Sequence, residues 1–147
     1  MTLSMPILQK ENIALRAQVE NKTEAIRLAG QILVDHGYVE DAYIDKMFER
    51  EALTSTYMGN FVAIPHGTED AKQFVKHSGI SIVQIPDGVD FGDGNIAKLL
   101  IGIAGKNNEH LEILSKIAIV CSEEEHVETM IKAATEEEIL RLLSEVN

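Results

Sequence analysis

Apolar positions recur at helical spacing from Lys22 to Asp35, where Ile26, Ala29, Ile32 and Leu33 fall three and four residues apart, the signature of a helix with one buried face. Gly37 closes that helix. A second helix is predicted from Glu40 to about Leu53, with Tyr43, Ile44, Met47 and Phe48 as its apolar stripe. Asp41 and Asp45 suit its positive end, and Arg50 lies one turn beyond Met47 on the margin of the stripe. Elsewhere the pattern changes from a helical to a strand-like one. Ile13 to Leu15 reads as a brief strand, and Gly59-Asn60 as a turn before the run Phe61-Val62-Ala63-Ile64. Pro65, which has no amide hydrogen for a ladder, ends that run. Gly79 to Ile85 is rich in β-branched residues and is predicted to end at the turn signal Pro86-Asp87-Gly88. Lys98 to Ala104 is almost continuously apolar, as expected of a central strand covered on both faces.

Three helices fill the rest. The first starts near Asn107-Asn108 and carries Leu111, Ile113, Leu114, Ile117, Ala118 and Cys121 along one face; the second covers about Glu123 to Ala133. Thr135 with Glu138 forms a capping-box signature for the last, which runs through Leu140 and Leu143. The predicted order is strand, two helices, three strands, three helices, with strands that follow one another without a helix between them. That order implies an α/β fold of three layers, α/β/α, with a small mixed central sheet flanked by helices. No repeat or linker interrupts it, so residues 1–147 are expected to form a single domain.

Composition narrows the chemistry. The chain is 45% hydrophobic and 25% charged, ordinary for a globular domain. No apolar run approaches the ~20 residues of a membrane-spanning helix, and the first residues lack a secretory signal, so a cytoplasmic address without direct membrane insertion is expected. The single cysteine, Cys121, cannot form an internal disulfide; on the stripe of Leu114 and Ile117 it reads as a core residue. The net charge of -11 opposes binding to nucleic acid. Gly-Lys-Ser/Thr phosphate loops, dinucleotide glycine patterns and His-Glu-x-x-His zinc motifs are absent from the sequence, so neither cofactor nor metal is expected. The stretch Asp87 to Asn95 lacks the alternating ligands and closing glutamate of a calcium loop.

Among the five histidines, His66 follows a strand and Pro65 and precedes Gly67-Thr68. A rigid element would hold it at an open rim, and Gly67 would let backbone approach an anion; the same spacing also describes an ordinary turn histidine. His110 shares the inward face of Ile113, Leu114 and Ile117 in the first turn of its helix. There it is either a half-buried capping residue or a neutral donor to an oxyanion. Arg50 either lays its stem on apolar surface or offers its planar fork to phosphate. His36 precedes Gly37 at a helix end, a structural position, and His77 and His126 are expected to face water.

The words Arg50-Glu51, Thr54-Ser55-Thr56-Tyr57-Met58-Gly59-Asn60 and Ala63-Ile64-Pro65-His66-Gly67-Thr68 resemble the mannitol/fructose family of phosphotransferase-system enzyme IIA. Glu24-Ala25-Ile26 with Gly30, Gly37-Tyr38-Val39 and Asn107-Asn108-Glu109-His110-Leu111 extend the resemblance over most of the chain, and the Thr-Tyr-x-Gly-Asn and Asn-Asn-Glu-His forms look mannitol-like. The resemblance implies a stand-alone phosphocarrier with a phosphohistidine intermediate. His66 would accept the phosphoryl group from the phosphocarrier protein HPr and pass it to a cysteine of the IIB domain of a membrane sugar permease. Arg50 and His110 would stabilise the group in flight, with the Gly67 and Thr68 amides as lesser donors. The alternative within the family is a regulatory nitrogen-branch or fructose-type enzyme IIA, a signalling module whose phosphorylation changes its partners. A metal hydrolase built on His66 and His110 lacks a spaced third ligand.

Overall fold

The computed structural model describes residues 6–146; the first five residues and the last of the expected domain lie outside the described residues. Five strands and five helices follow in the order β1 (Ile13–Ala14), α1 (Lys22–Asp35), α2 (Ala42–Leu53), β2 (Tyr57–Gly59), β3 (Val62–Ala63), β4 (Gly79–Asp90), β5 (Ile96–Ala104), α3 (Glu109–Cys121), α4 (Glu124–Lys132) and α5 (Glu136–Leu142), with three short 3-10 turns. The sheet order is β1-β4-β5-β3-β2. β1 on β4 and β3 on β5 are parallel, whereas β4 on β5 and β2 on β3 are antiparallel, so the sheet is mixed as expected.

Helices cover both faces of the sheet. On one side Ala25, Ile26, Ala29 and Leu33 of α1 and Met47 of α2 pack with Val83, Ile85 and Leu100. On the other, Ile80, Ile82, Leu99, Ile101 and Ile103 meet Ile113, Ile117, Val127, Met130 and Ile139 from α3, α4 and α5. Alternate residues of β4 and β5 therefore serve opposite cores, which explains why β5 reads as one apolar run. The three-layer α/β/α prediction holds. So does the capping box: the Thr135 side chain and Glu138 bond reciprocally at the start of α5.

Three expectations need correction. β2 was not predicted; it is a three-residue edge strand without readable alternation, joined to β3 through consecutive left-handed residues Gly59, Asn60 and Phe61 (φ 97°, 57° and 67°). β4 does not stop at Pro86 but runs on to Asp90, because its register against β5 shifts between Gln84 and Val89 and the bulge absorbs Pro86-Asp87-Gly88. Finally, Leu111 and Ala118 point outward, with Leu111 60% exposed. Both sit about 100° or more around α3 from Ile117, beyond the face that Ile113, Ile117 and Cys121 bury.

Candidate active site

The parallel register of β3 and β5 decides where His66 lands. Val62 pairs with Leu99 and Ala63 with Leu100, and the same offset continues past Pro65 to an isolated bridge between His66 and Ile103. Pro65 donates nothing, but its carbonyl accepts the Ile103 amide at 2.9 Å. Because β3 and β5 run the same way, the residues that follow each strand emerge at one edge of the sheet. His66 follows β3, and His110, in the first turn of α3, follows β5.

Gly105 makes the second approach possible. A Cβ at this position would stand 2.2 Å from the His110 amide nitrogen and 2.4 Å from its Cα, so only glycine lets the start of α3 press against the end of β5. His110 consequently keeps the inward placement its spacing predicted, with a side chain 17% exposed and Nε2 3.9 Å from the Glu69 carboxylate. Arg50 reaches the same place from α2. Arg50, His66 and His110 all line one cavity of about 600 Å³, whose rim carries the exposed Leu53 and Leu111.

The imidazole of His66 has a defined proton arrangement. Its Nδ1 lies 2.8 Å from the Ile64 carbonyl oxygen; a carbonyl only accepts, so Nδ1 carries the hydrogen and Nε2 keeps the lone pair. Burial, foremost, pushes the His66 pKa below its ordinary value. The Arg50 guanidinium and the His110 ring push the same way, against the Ile64 carbonyl and the Glu51 carboxylate. The ring is therefore neutral at pH 7, a free nitrogen nucleophile needing no base to activate it.

Arg50 donates from Nη1 to the Thr54 carbonyl at 2.7 Å, a bond that closes the end of α2. Among the described residues it pairs with no carboxylate, and it lines the cavity with no other ion-pair partner for its charge. The neighbouring Glu51 does the opposite. Buried, it accepts from the Thr56 amide at 3.1 Å and pairs with Lys22 at 2.8 Å, tying the end of α2 to the start of α1. Burial alone would raise its pKa, but the hydrogen bonds from Lys22 and Thr56 outweigh it and hold the carboxyl below its usual value.

The Gly67 amide is not an anion donor. It donates to the Tyr43 hydroxyl at 2.9 Å, a use that spacing could not reveal because Tyr43 reads as one more member of the α2 apolar stripe. Thr68 lines the cavity, and its hydroxyl bonds Asp70. Of the other histidines, His36 caps α1 and His77 is exposed as expected. His126 is instead half-buried, with Nδ1 3.2 Å from the Val120 carbonyl at the turn between α3 and α4. Cys121 is buried, and burial pushes its thiol up to about 11, consistent with a core residue.

Comparison with known proteins assigns the family. Residues 6–146 match the model for the phosphoenolpyruvate-dependent sugar phosphotransferase system, EIIA 2. A relative from Geobacillus stearothermophilus, the mannitol-specific phosphotransferase enzyme IIA component, is 89% identical over 145 residues, covering 99% of this chain and 100% of that protein. Among solved structures, the complex of enzyme IIAMTL and phosphorylated enzyme IIBMTL from Escherichia coli matches with a TM-score of 0.89 and 41% identity, over 94% of this chain and 97% of that one. The crystal structure of IIA mannitol from Escherichia coli gives 0.87 and 43%, over 92% and 98%. With the match spanning nearly its whole length, the chain belongs to the EIIA 2 family of the phosphoenolpyruvate-dependent sugar phosphotransferase system.

Proposed function

We propose that this protein is the phosphocarrier of a mannitol uptake system, working in the cytoplasm between HPr and the IIB domain of a membrane permease. His66 accepts the phosphoryl group from phosphorylated HPr and gives it to the IIB cysteine. The observation that carries this reading is a neutral His66 with Nδ1–H bonded to Ile64 and Nε2 free, sharing a cavity with Arg50 and His110. The names of its mannitol-specific relatives support the sugar. The solved complex with a phosphorylated IIB supports the acceptor. Among the described residues no helix is long and apolar enough to cross a membrane.

The chemistry follows from the atoms. Nε2 attacks phosphorus in line as the donor's phosphorus–nitrogen bond breaks, and the donor imidazole leaves neutral. The hydrogen stays on Nδ1, still donated to the Ile64 carbonyl, and that bond strengthens as the ring becomes positive. Negative charge spreads over three equatorial oxygens, where the Arg50 fork and the His110 ring are the fixed donors. On transfer out, the IIB thiolate takes the phosphoryl group and the ring returns to neutral with the same nitrogen free. Incubation with enzyme I, HPr and phosphoenolpyruvate tests this: the protein should gain the mass of one phosphoryl group, labile to acid as a phosphoramidate is. His66→Ala should abolish the gain, and persistence of the gain in that variant would overturn the assignment. Restored mannitol uptake in a strain lacking its own enzyme IIA tests the sugar.

A further inference from the structure

We propose that Tyr43 is a positioning residue for the transfer, its hydroxyl completing the last rung of the ladder that carries His66 and so setting the imidazole against Arg50; the proposal rests on His66 being the acceptor. Tyr43 is 4% exposed. Its oxygen accepts the Gly67 amide at 2.9 Å and its hydrogen goes to the Ile103 carbonyl at 2.7 Å. Ile103 is the bridge partner of His66, and its own amide donates to the Pro65 carbonyl at 2.9 Å. Both peptide groups flanking His66 are thus referred to one residue of β5, on one side directly and on the other through the tyrosine.

The same side chain fixes the distance from α2. Tyr43 and Arg50 are seven residues apart, two turns along one side of the helix, so the element that delivers the guanidinium is also the one docked on the His66 loop. The contact is close: a Cβ on Gly67 would lie 2.7 Å from Tyr43 Cε1 and 3.0 Å from Cζ. Losing the hydroxyl leaves the Gly67 amide and the Ile103 carbonyl without the group that joins them. The loop and α2 can then part by fractions of an ångström, and in-line transfer is sensitive to shifts of that size. Burial pushes the Tyr43 hydroxyl up to about 12, so it remains a donor throughout the neutral range.

The test is Tyr43→Phe, which keeps the ring, beside a matched control. Tyr38 is also fully buried, its hydroxyl donating to the Pro6 carbonyl at 2.7 Å and accepting from Asn12 at 3.0 Å, away from the cavity. Tyr38→Phe should lower the melting temperature about as much as Tyr43→Phe, since each loses one buried hydroxyl. Only Tyr43→Phe should slow single-turnover transfer from phosphorylated HPr, by about ten-fold or more, with the donor concentration at half-saturation nearly unchanged. Nitrogen NMR of the His66 ring in Tyr43→Phe should report loss of the single Nδ1–H tautomer. Gly67→Ala, which crowds the tyrosine ring from the other side, should reproduce the slowing. Equal rates for Tyr43→Phe and Tyr38→Phe, or an unchanged His66 tautomer, would overturn the proposal. A wild-type protein that takes up no phosphoryl group would instead sink the functional reading, and the tautomer measurement would still decide whether Tyr43 holds the ring.

Discussion

Replacing Arg50 by alanine separates electrostatic stabilisation of the transferring group from structural support. Among the described residues the side chain makes one hydrogen bond, to the Thr54 carbonyl at 2.7 Å, at the exposed end of α2. A cation at a helix C-terminus contributes about 0.3–1 kcal/mol, so the stability loss should stay within about 1 kcal/mol. On the proposed mechanism, the guanidinium contributes a charge-assisted hydrogen bond to a phosphoryl oxygen in the transition state, worth about 1.5–3 kcal/mol. At about 1.4 kcal/mol per decade that is roughly a ten- to hundred-fold loss in rate. Arg50→Lys keeps the charge but loses the fork and should fall between. The titration of His66 adds a second sign. Burial is the main cause of its lowered pKa, and Arg50 adds to the lowering, so Arg50→Ala should move the pKa part of the way back up. Rapid-quench transfer from phosphorylated HPr, thermal melts and NMR titration give the three readings. A rate loss below about three-fold, or a His66 pKa that stays put or falls, would refute the reasoning.

The remaining predictions concern pH and packing. Since the folded His66 pKa lies below its unfolded value, phosphoryl acceptance should persist below pH 6.5 and fail only as pH drops through that lowered value, as a pH–rate profile would show. The same shift makes the unfolded state the better proton acceptor, so the contribution of His66 to stability is full above about 6.5 and lost as pH falls through the folded pKa; urea melts across that range test the sign. Gly105→Ala places a methyl 2.2 Å from backbone nitrogen at His110, so α3 must shift, costing about 1–3 kcal/mol of stability in urea melts and slowing transfer even where the variant is fully folded. Glu51→Ala strands Lys22 and the Thr56 amide; with Lys22 partly solvated, a loss of about 2–3 kcal/mol in urea melts is expected, below the full cost of breaking a buried pair.

How much of this was legible depended on whether a signal was local. The long helices and the two long strands are periodic over many residues, so their apolar patterns suffice. His66 was marked by the proline and glycine beside it, and His110 by its place on a helical face. What joins them is not local: the common offset of β3 and β5 carries His66 to Ile103, and nothing in either strand records that register. Tyr43 was legible only in part for the same reason. Its ring obeys the apolar stripe of α2, while its hydroxyl serves partners 24 and 60 residues away in sequence. Gly105 simply follows the apolar run of β5 in sequence, and its crowding against His110 exists only once α3 folds back onto the sheet. The bulge in β4 defeated a sound rule, because proline stops a regular ladder but not one whose register has already slipped.

A carrier differs from an ordinary kinase in having to surrender what it captures, and the surroundings of both donors fit that demand. A site that held the resting phosphohistidine as tightly as the transition state would gain no rate and would trap the group. Here the Arg50 fork is shared with the Thr54 carbonyl, and the His110 ring stands 3.9 Å from the Glu69 carboxylate, which is 85% exposed. Each donor thus has a competing acceptor within the protein, and the net charge of -11 adds a diffuse repulsion toward a bound dianion. On the proposed mechanism, the oxygens draw most from Arg50 and His110 when they spread into the equatorial plane during transfer, and less when the group rests on Nε2. Stabilisation of that kind is concentrated on passage rather than possession, which would allow one cavity to serve both the proposed incoming and outgoing partners.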